Sequence, residues 1–212
     1  MQRKQSWVSP ARFAPYLVEA DQDEGRAWQL YEWNARVAAA LWECIHHAEV
    51  LLRNAMMGEL SKLHPLSYPW NSDLKAVRET AATQGTKEHP AGPDDIIAGL
   101  TLGFWQQFLE KSPANDELWR HHLRNAFPGS PGRRDVVRQA VADMRNLRNR
   151  CGHQDSLLEA DPGIEVKKIL TLVGWIDPDA REWLAEIERA SDIAGERPIA
   201  PPRDVLVVPV AK

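Results

Sequence analysis

Apolar residues recur at intervals of three and four along most of this chain, and the rhythm breaks at proline, glycine and capping residues. From residue 23 to about 63, Trp28, Tyr31, Ala35, Ala38, Leu41, Trp42, Ile45, Ala48, Leu52, Ala55 and Met56 keep a helical period with almost no breaker. That pattern predicts one long helix, of a length that allows a bend or a pair of helices. Before it, Ser9-Pro10 sets a capping side chain ahead of a proline at the first helical position. Pro15 then predicts a broken or two-part helix over residues 11–20.

Residues 63–71 read as a loop, Ser72 or Asp73 caps a short helix to about residue 84, and residues 85–93 form a second loop. Asp94-Asp95 start a helix over residues 96–111, carrying Ile97, Leu100, Phe104 and Phe108 with Trp105 beside them. Gly99 and Gly103 would let another helix approach it closely. Ser112-Pro113 opens the next helix, to residue 127, and residues 128–132 form a turn. Asp161-Pro162 and Asp177-Pro178 are two copies of one start signal, for helices of about 163–173 and 179–191. From Gly195 onward Pro198, Pro201, Pro202 and Pro209 surround Val205-Leu206-Val207-Val208, which predicts an extended tail, an edge strand or a docking arm. The expectation is an all-α chain: one helical domain over residues 1–194 and a Pro/Val-rich tail over 195–212.

The remaining helix, residues 132–152, carries the densest chemistry. Val136, Val137, Ala140, Met144, Leu147 and Cys151 fall on one stripe, and Arg134, Arg138, Arg145 and Arg148 fall on the adjacent one, bordered by Asn149. Residues 133–150 hold six Arg against two Asp in a chain of net charge -4, so positive charge is concentrated here. A guanidinium is a planar fork of donors that matches phosphate oxygens at any working pH. The helix ends in Arg148-Asn149-Arg150-Cys151-Gly152-His153. On an unbroken helix Arg148 and His153 would point about 140° apart. A left-handed turn at Gly152 would swing His153 back toward Arg148, where imidazole suits proton transfer near neutral pH. The plainer alternative is that Arg148 salt-bridges a neighbouring helix and His153 is a solvated cap.

Composition narrows the chemistry. With 43% hydrophobic residues and nine Trp, the chain can build a core. At helical spacing the Trp residues read as core, Trp70 in its loop being the least assigned. Cys44 and Cys151 offer neither a disulfide framework nor metal-ligand spacing, which fits a reducing, cytoplasmic setting. The first residues carry no apolar signal segment, and no stretch predicts a membrane span. His46-His47 and His121-His122 are adjacent pairs that diverge by about 100° on a helix and make poor joint ligands, so no metal and no cofactor is expected. No Gly-rich phosphate loop and no G-x-S-x-G elbow occurs. Glu49 and Arg53 have the spacing of a helical ion pair. They lie with Asn54 among apolar neighbours, a polar cluster suited to supporting a site.

Taken in order, Leu30-Tyr31-Glu32-Trp33-Asn34, Glu49-Val50-Leu51-Leu52-Arg53-Asn54-Ala55, Gly103-Phe104-Trp105, Leu118-Trp119, Leu147-Arg148-Asn149-Arg150-Cys151-Gly152-His153 and Gly174-Trp175-Ile176 resemble the Abi-like (abortive infection) family, within the HEPN superfamily. The likeness runs from about residue 10 to 190. It implies a HEPN-like helical bundle and a metal-independent endoribonuclease, a toxin-like effector of phage defence. Arg148 would bind the scissile phosphate, His153 would act as general base or acid for 2'-hydroxyl attack giving a 2',3'-cyclic phosphate, and Asn149 would orient the pair. Glu49, Arg53, Asn54, Arg145 and Arg150 would support the site or the substrate. The implied partners are cellular RNA, tRNA included, a second copy of the chain forming a composite active site, and a cognate antitoxin or defence partner. Relatives often carry a second His where this chain has Gln154, and Ala is commoner at the position of Gly152. The alternative from another class is a non-catalytic helical module that binds RNA, a nucleotide or a protein.

Overall fold

The structure, a computed structural model, describes residues 3–62, 79, 83 and 92–199. The expected loops at 63–71 and 85–91, most of the helix expected from Ser72 or Asp73, and the tail beyond residue 199 lie outside the described residues, as does Trp70. Among the described residues every α, 3-10 or extended element assigned is helical. The helices are α1 (Pro10–Glu19), α2 (Glu24–Leu60), α3 (Pro93–Gly99), α4 (Leu102–Gln107), α5 (Pro113–His121), α6 (Arg134–Gly152), α7 (Pro162–Ile176), α8 (Pro178–Ile187) and α9 (Ala190–Gly195). Short 3-10 turns lie at Gln5–Trp7 and Leu123–Ala126. No described helix is long and apolar enough to cross a membrane. The chain divides into two compact units, Met1–Cys44 with Leu147–Lys167 and Ile187–Lys212, and Ile45–Asn146 with Lys168–Glu186.

In the first unit α1 is a continuous helix, contrary to the break expected at Pro15. Proline removes one backbone donor, at a cost of about 3 kcal/mol in a helix interior. Burial of Phe13 and Tyr16 offsets it at roughly 1.5–3 kcal/mol for each large side chain. These rings pack with those of α2: Phe13 lies 4.6 Å from Trp28, and Tyr16 meets Tyr31 edge-on at 5.4 Å. Ser9 caps α1 through the Arg12 amide at 3.4 Å.

The core row on this part of α2 is Leu30, Trp33, Val37, Leu41 and Cys44, all buried. Of the positions the spacing suggests, Trp28, Ala38 and Leu41 are buried with this row, but Tyr31, Ala35 and Trp42 form a second, more exposed row. Ala35 is exposed and Trp42 is 39% exposed. Both rows are apolar and one residue apart in register, so periodicity does not separate them.

The first unit is tied together by Arg197. Its guanidinium pairs with Glu19 at 2.5 Å, donates to the Leu158 and Ile199 carbonyls at 2.9 Å each, and lies 5.1 Å over the Trp33 ring. Trp33 donates from Nε1 to the Ile193 carbonyl at 2.8 Å. The first tail residues are therefore anchored by polar contacts.

In the second unit the helix expected over residues 96–111 is two helices, α3 and α4. Leu100 takes an extended ψ of 133°, and the Thr101 hydroxyl accepts from the Phe104 amide at 3.3 Å, starting a new helix. Likewise the helix expected to reach residue 127 stops at His121 and gives way to the 3-10 turn. Both Asp-Pro starts form as read. Asp161 accepts from the Gly163 and Ile164 amides, and Asp177 from those of Asp179 and Ala180. Their helices run to Ile176 and Ile187. Gly129 is needed for space: a Cβ there would lie 2.8 Å from the Gly174 carbonyl.

Replacing Arg197 with Ala should lower the unfolding free energy by about 3 kcal/mol, because Glu19 is left half-buried and unpaired. Lys should restore only part, since an ammonium lacks the planar fork. Urea unfolding that leaves the Ala variant level with the parent would show the anchor to be idle. The two free thiols give a pH prediction. Burial pushes Cys44 up to about 12, helped by the charges of Glu188 and Glu43, and pushes Cys151 up to about 11 against the opposing Arg150. Above the ordinary thiol value of about 9 the unfolded chain has lost protons that the folded chain keeps. Their contribution is thus complete below about pH 9 and is lost as pH rises toward 11–12. Urea midpoints measured across that window should fall, and fall less steeply for Cys44→Ala.

Candidate functional site

The candidate motif lies at the C-terminal end of α6, in the first unit from Leu147 onward. The helix does not turn at Gly152 as expected. Gly152 is its last residue and its φ is not positive. The left-handed residue is Gln154, at φ 52°. Around it the Gln154 amide donates to the Cys151 carbonyl at 3.2 Å and the Asp155 amide to the Arg150 carbonyl at 2.9 Å. That pair of bonds is the glycine-type helix stop with glutamine in the left-handed place. Arg12 completes the end, donating to the Gln154 carbonyl at 2.9 Å and the His153 carbonyl at 3.5 Å.

Gly152 serves another purpose. A Cβ there would lie 2.9 Å from Trp42 Cζ3 and 3.1 Å from Cη2. Only a bare Cα lets the indole come this close. One helical turn earlier, on the same face, the Arg148 guanidinium lies 5.0 Å over the Trp42 ring. Trp42 thus holds both ends of the turn from 148 to 152.

His153 stays in helical register, because its amide still donates to the Asn149 carbonyl at 2.9 Å. The expected swing toward Arg148 therefore does not occur at Gly152. Asn149 and His153 share a face, four residues apart, while Arg148 points about 140° from His153 around the axis. Both Arg148 and His153 are exposed. Among the described residues neither side chain has a hydrogen-bond or ion-pair partner. This differs from the plainer expectation of an Arg148 salt bridge.

The other candidate guanidiniums of α6 are engaged. Arg150 donates to the Ser156 carbonyl at 2.7 Å and so braces the loop after the motif. In the second unit Arg134 pairs with Asp116 at 2.6 Å, and Arg138 lies 3.9 Å from Glu110. Arg145 donates to Gln106 Oε1 at 3.1 Å, its guanidinium seated against Gly103, where a Cβ would lie 3.3 Å away. Gly103 thus makes room for a side chain, where the sequence suggested a helix backbone. Also in the second unit, Arg53 donates to the Ala98 carbonyl at 3.2 Å, and among the described residues no ion pair joins it to Glu49. Glu49 and Arg53 are half-buried and Asn54 is exposed. His47 packs edge-on against Trp183 at 5.0 Å. Among the described residues no group of three His, Cys, Asp or Glu is placed to hold a metal ion.

Three residues gain roles that the sequence reading did not assign. Trp42, expected in the core, is a half-exposed platform. Asn34 is buried, accepting from the Leu157 amide at 2.7 Å, and so fixes the loop that follows His153. Gln154 both ends α6 and lines a cleft of about 510 Å³ with Tyr16, Tyr31, Ala35, Ala38, Ala39 and Trp42. Burial raises the Tyr16 hydroxyl above its usual value, opposed by its hydrogen bond to Ser156. One signal in the sequence could have indicated the cleft. A Trp on the same helix face as three alanines leaves a hollow beside the ring.

The chain matches no protein-family model, and neither the curated proteins nor the solved structures compared with it give a match.

Gly152→Ala should destabilise the first unit by about 1–3 kcal/mol through overpacking against Trp42. In a Trp42→Ala background the sign should reverse, because Ala is the better helix former by up to about 1 kcal/mol. A double-mutant cycle from urea unfolding reads the contact directly. Additive effects would show that the indole and the glycine are energetically independent.

Proposed function

We propose that this protein is a metal-independent endoribonuclease whose site is formed by the end of α6. The observation that carries the reading is an exposed Arg148 on the Trp42 ring, with no hydrogen-bond or ion-pair partner among the described residues, and an exposed His153 five residues further on. In this reading Arg148 binds the scissile phosphate and stabilises its developing charge. His153 takes the proton of the ribose 2'-hydroxyl or gives one to the departing 5'-oxygen. The 2'-oxygen forms a bond to phosphorus as the bond to the 5'-oxygen breaks, leaving a 2',3'-cyclic phosphate and a 5'-hydroxyl. Asn149, on the His153 face, orients the imidazole. Arg150 and Arg145 hold the surrounding structure, and Glu49, Arg53 and Asn54 are structural or substrate contacts of the second unit.

The angle of about 140° between Arg148 and His153 on one helix makes a single chain a poor catalyst by itself. Two copies would place Arg148 of one chain against His153 of the other, the composite arrangement that the resemblance to HEPN proteins implies. Cytoplasmic RNA, tRNA included, is the proposed substrate, and growth arrest in phage defence, with an antitoxin or defence partner, the proposed setting. The same angle also favours a second reading, a non-catalytic RNA-binding module in which Arg148 and Trp42 alone hold the strand. Steep salt dependence of binding without cleavage products would mark that case.

Purified protein with total RNA and EDTA should give fragments ending in cyclic phosphate. Arg148→Ala and His153→Ala should each lower the rate at least about a hundredfold, the scale of a positioned proton-transfer group or a charge-stabilising donor. Mixing the two variants should restore part of the rate if the site is shared. Undiminished cleavage by both folded variants would remove the nuclease reading.

A further inference from the structure

The cleft of the first unit combines small and aromatic residues: Ala35, Ala38 and Ala39 on α2 form its floor, and Tyr31 and Trp42 lie at either end of that row. Its volume of about 510 Å³ falls within the roughly 300–1,000 Å³ of small-ligand pockets. Two polar groups along it have hydrogen-bonding capacity to spare. The Tyr31 hydroxyl makes no hydrogen bond among the described residues. Gln154 spends its Nε2 on the Gly152 carbonyl at 3.0 Å, which leaves its side-chain carbonyl oxygen as an acceptor. Asn34, by contrast, is committed to the Asp155 and Leu157 backbone. Two cations stand beside the cleft: Arg148, 5.0 Å over the Trp42 ring, and Arg12, which donates to the Gln154 carbonyl at 2.9 Å.

We infer that this cleft receives one nucleobase of the RNA strand, with the adjoining phosphate held at Arg148. The inference rests on the RNA reading above and adds to it a site that selects which nucleotide sits beside the scissile bond. Aromatic side chains next to a guanidinium are the general means of holding an unpaired base, and the base edge requires donors and acceptors of the kind Tyr31 and Gln154 present. A strand fits better than a free nucleotide because none of the cleft-lining residues is a cation, so the cleft by itself offers a phosphate little affinity. The rest of the strand must add its own contacts.

The test uses the full chain carrying His153→Ala, so that substrate survives. Fluorescence anisotropy compares a short labelled oligoribonucleotide with an abasic ribose-phosphate strand of the same length. The base-bearing strand should bind about tenfold tighter, within the span set by stacking of one base. Ala39→Trp, at an exposed position on the cleft floor, should bring that ratio to about one while binding of the abasic strand is kept. Thermal melting followed by circular dichroism checks that the filled variant is folded. Tyr31→Phe should change the ranking among the four homopolymers and leave the abasic strand unaffected. If Ala39→Trp keeps the base preference while cleavage by the parent still needs Arg148 and His153, the base site is wrong and the nuclease reading stands. If adenosine monophosphate binds as tightly as the oligomer and is lost in Ala39→Trp, the cleft holds a free nucleotide and the strand assignment is wrong. Absence of binding to every RNA overturns both.

Discussion

The contact between the Trp42 indole and the bare Cα of Gly152 fixes how the end of α6 is seated in its unit. At 2.9 Å from Cζ3, even a methyl group would have to displace the ring. With that face of α6 pinned, the positions of its neighbours follow from helical geometry. Arg148, four residues earlier, comes down on the indole. Asn149, half-buried, and His153, exposed, take the next face, and the helix stops beyond them.

Glycine at this position illustrates what a sequence conceals. A glycine near a helix end reads most naturally as a backbone device, since it adopts positive φ cheaply. Here the backbone device is Gln154, and the glycine provides room. The two roles leave the same letter in the chain, and only the position of Trp42, more than a hundred residues away, separates them. Trp42 was ambiguous for a related reason. The core row of α2 and the cleft row are both apolar, so periodicity establishes the helix and not the side it buries. The start signals were far more legible, because a capping side chain acts within three residues of itself. Ser9, Ser112, Asp161 and Asp177 all cap as their sequence suggests. Pro15 and Thr101 mark the limit of such local rules. Aromatic burial carries α1 through its proline, and a side-chain cap divides α3 from α4 within an apolar run.

The arginines show the same limit in charge. From spacing alone Arg134, Arg138, Arg145 and Arg148 form one row, with Arg150 near its end. In the structure Arg134, Arg138, Arg145 and Arg150 answer to Asp116, Glu110, Gln106 and the Ser156 carbonyl. Each of those partners lies on another segment, which no helical period encodes. What distinguishes Arg148 is the absence of such a partner among the described residues and the presence of an aromatic face beneath it. An aromatic face attracts the cation without occupying its donors. The fork of N–H groups is held in orientation and remains available to an anion, whereas an Arg in a carboxylate pair would have to break that pair first.

That distinction bears on how a phosphodiester would be cleaved here. Proton transfer requires the imidazole within hydrogen-bond reach of the reacting oxygen, while charge stabilisation requires the guanidinium on the phosphate of the same linkage. A helix in regular register through His153 sets these two groups on different faces, and no rotation of the side chains alone removes an angle of about 140°. Either the strand must wrap the end of the helix, or a second copy must bring its own α6 to the same linkage. A wrapped strand would need cations along its path. In the first unit Arg12 and Arg150 beside the motif donate to backbone carbonyls, which hold their guanidiniums in place without neutralising the charge. Under the proposed ribonuclease reading, the divergence of the two reactive side chains is the argument for two motifs at one cut.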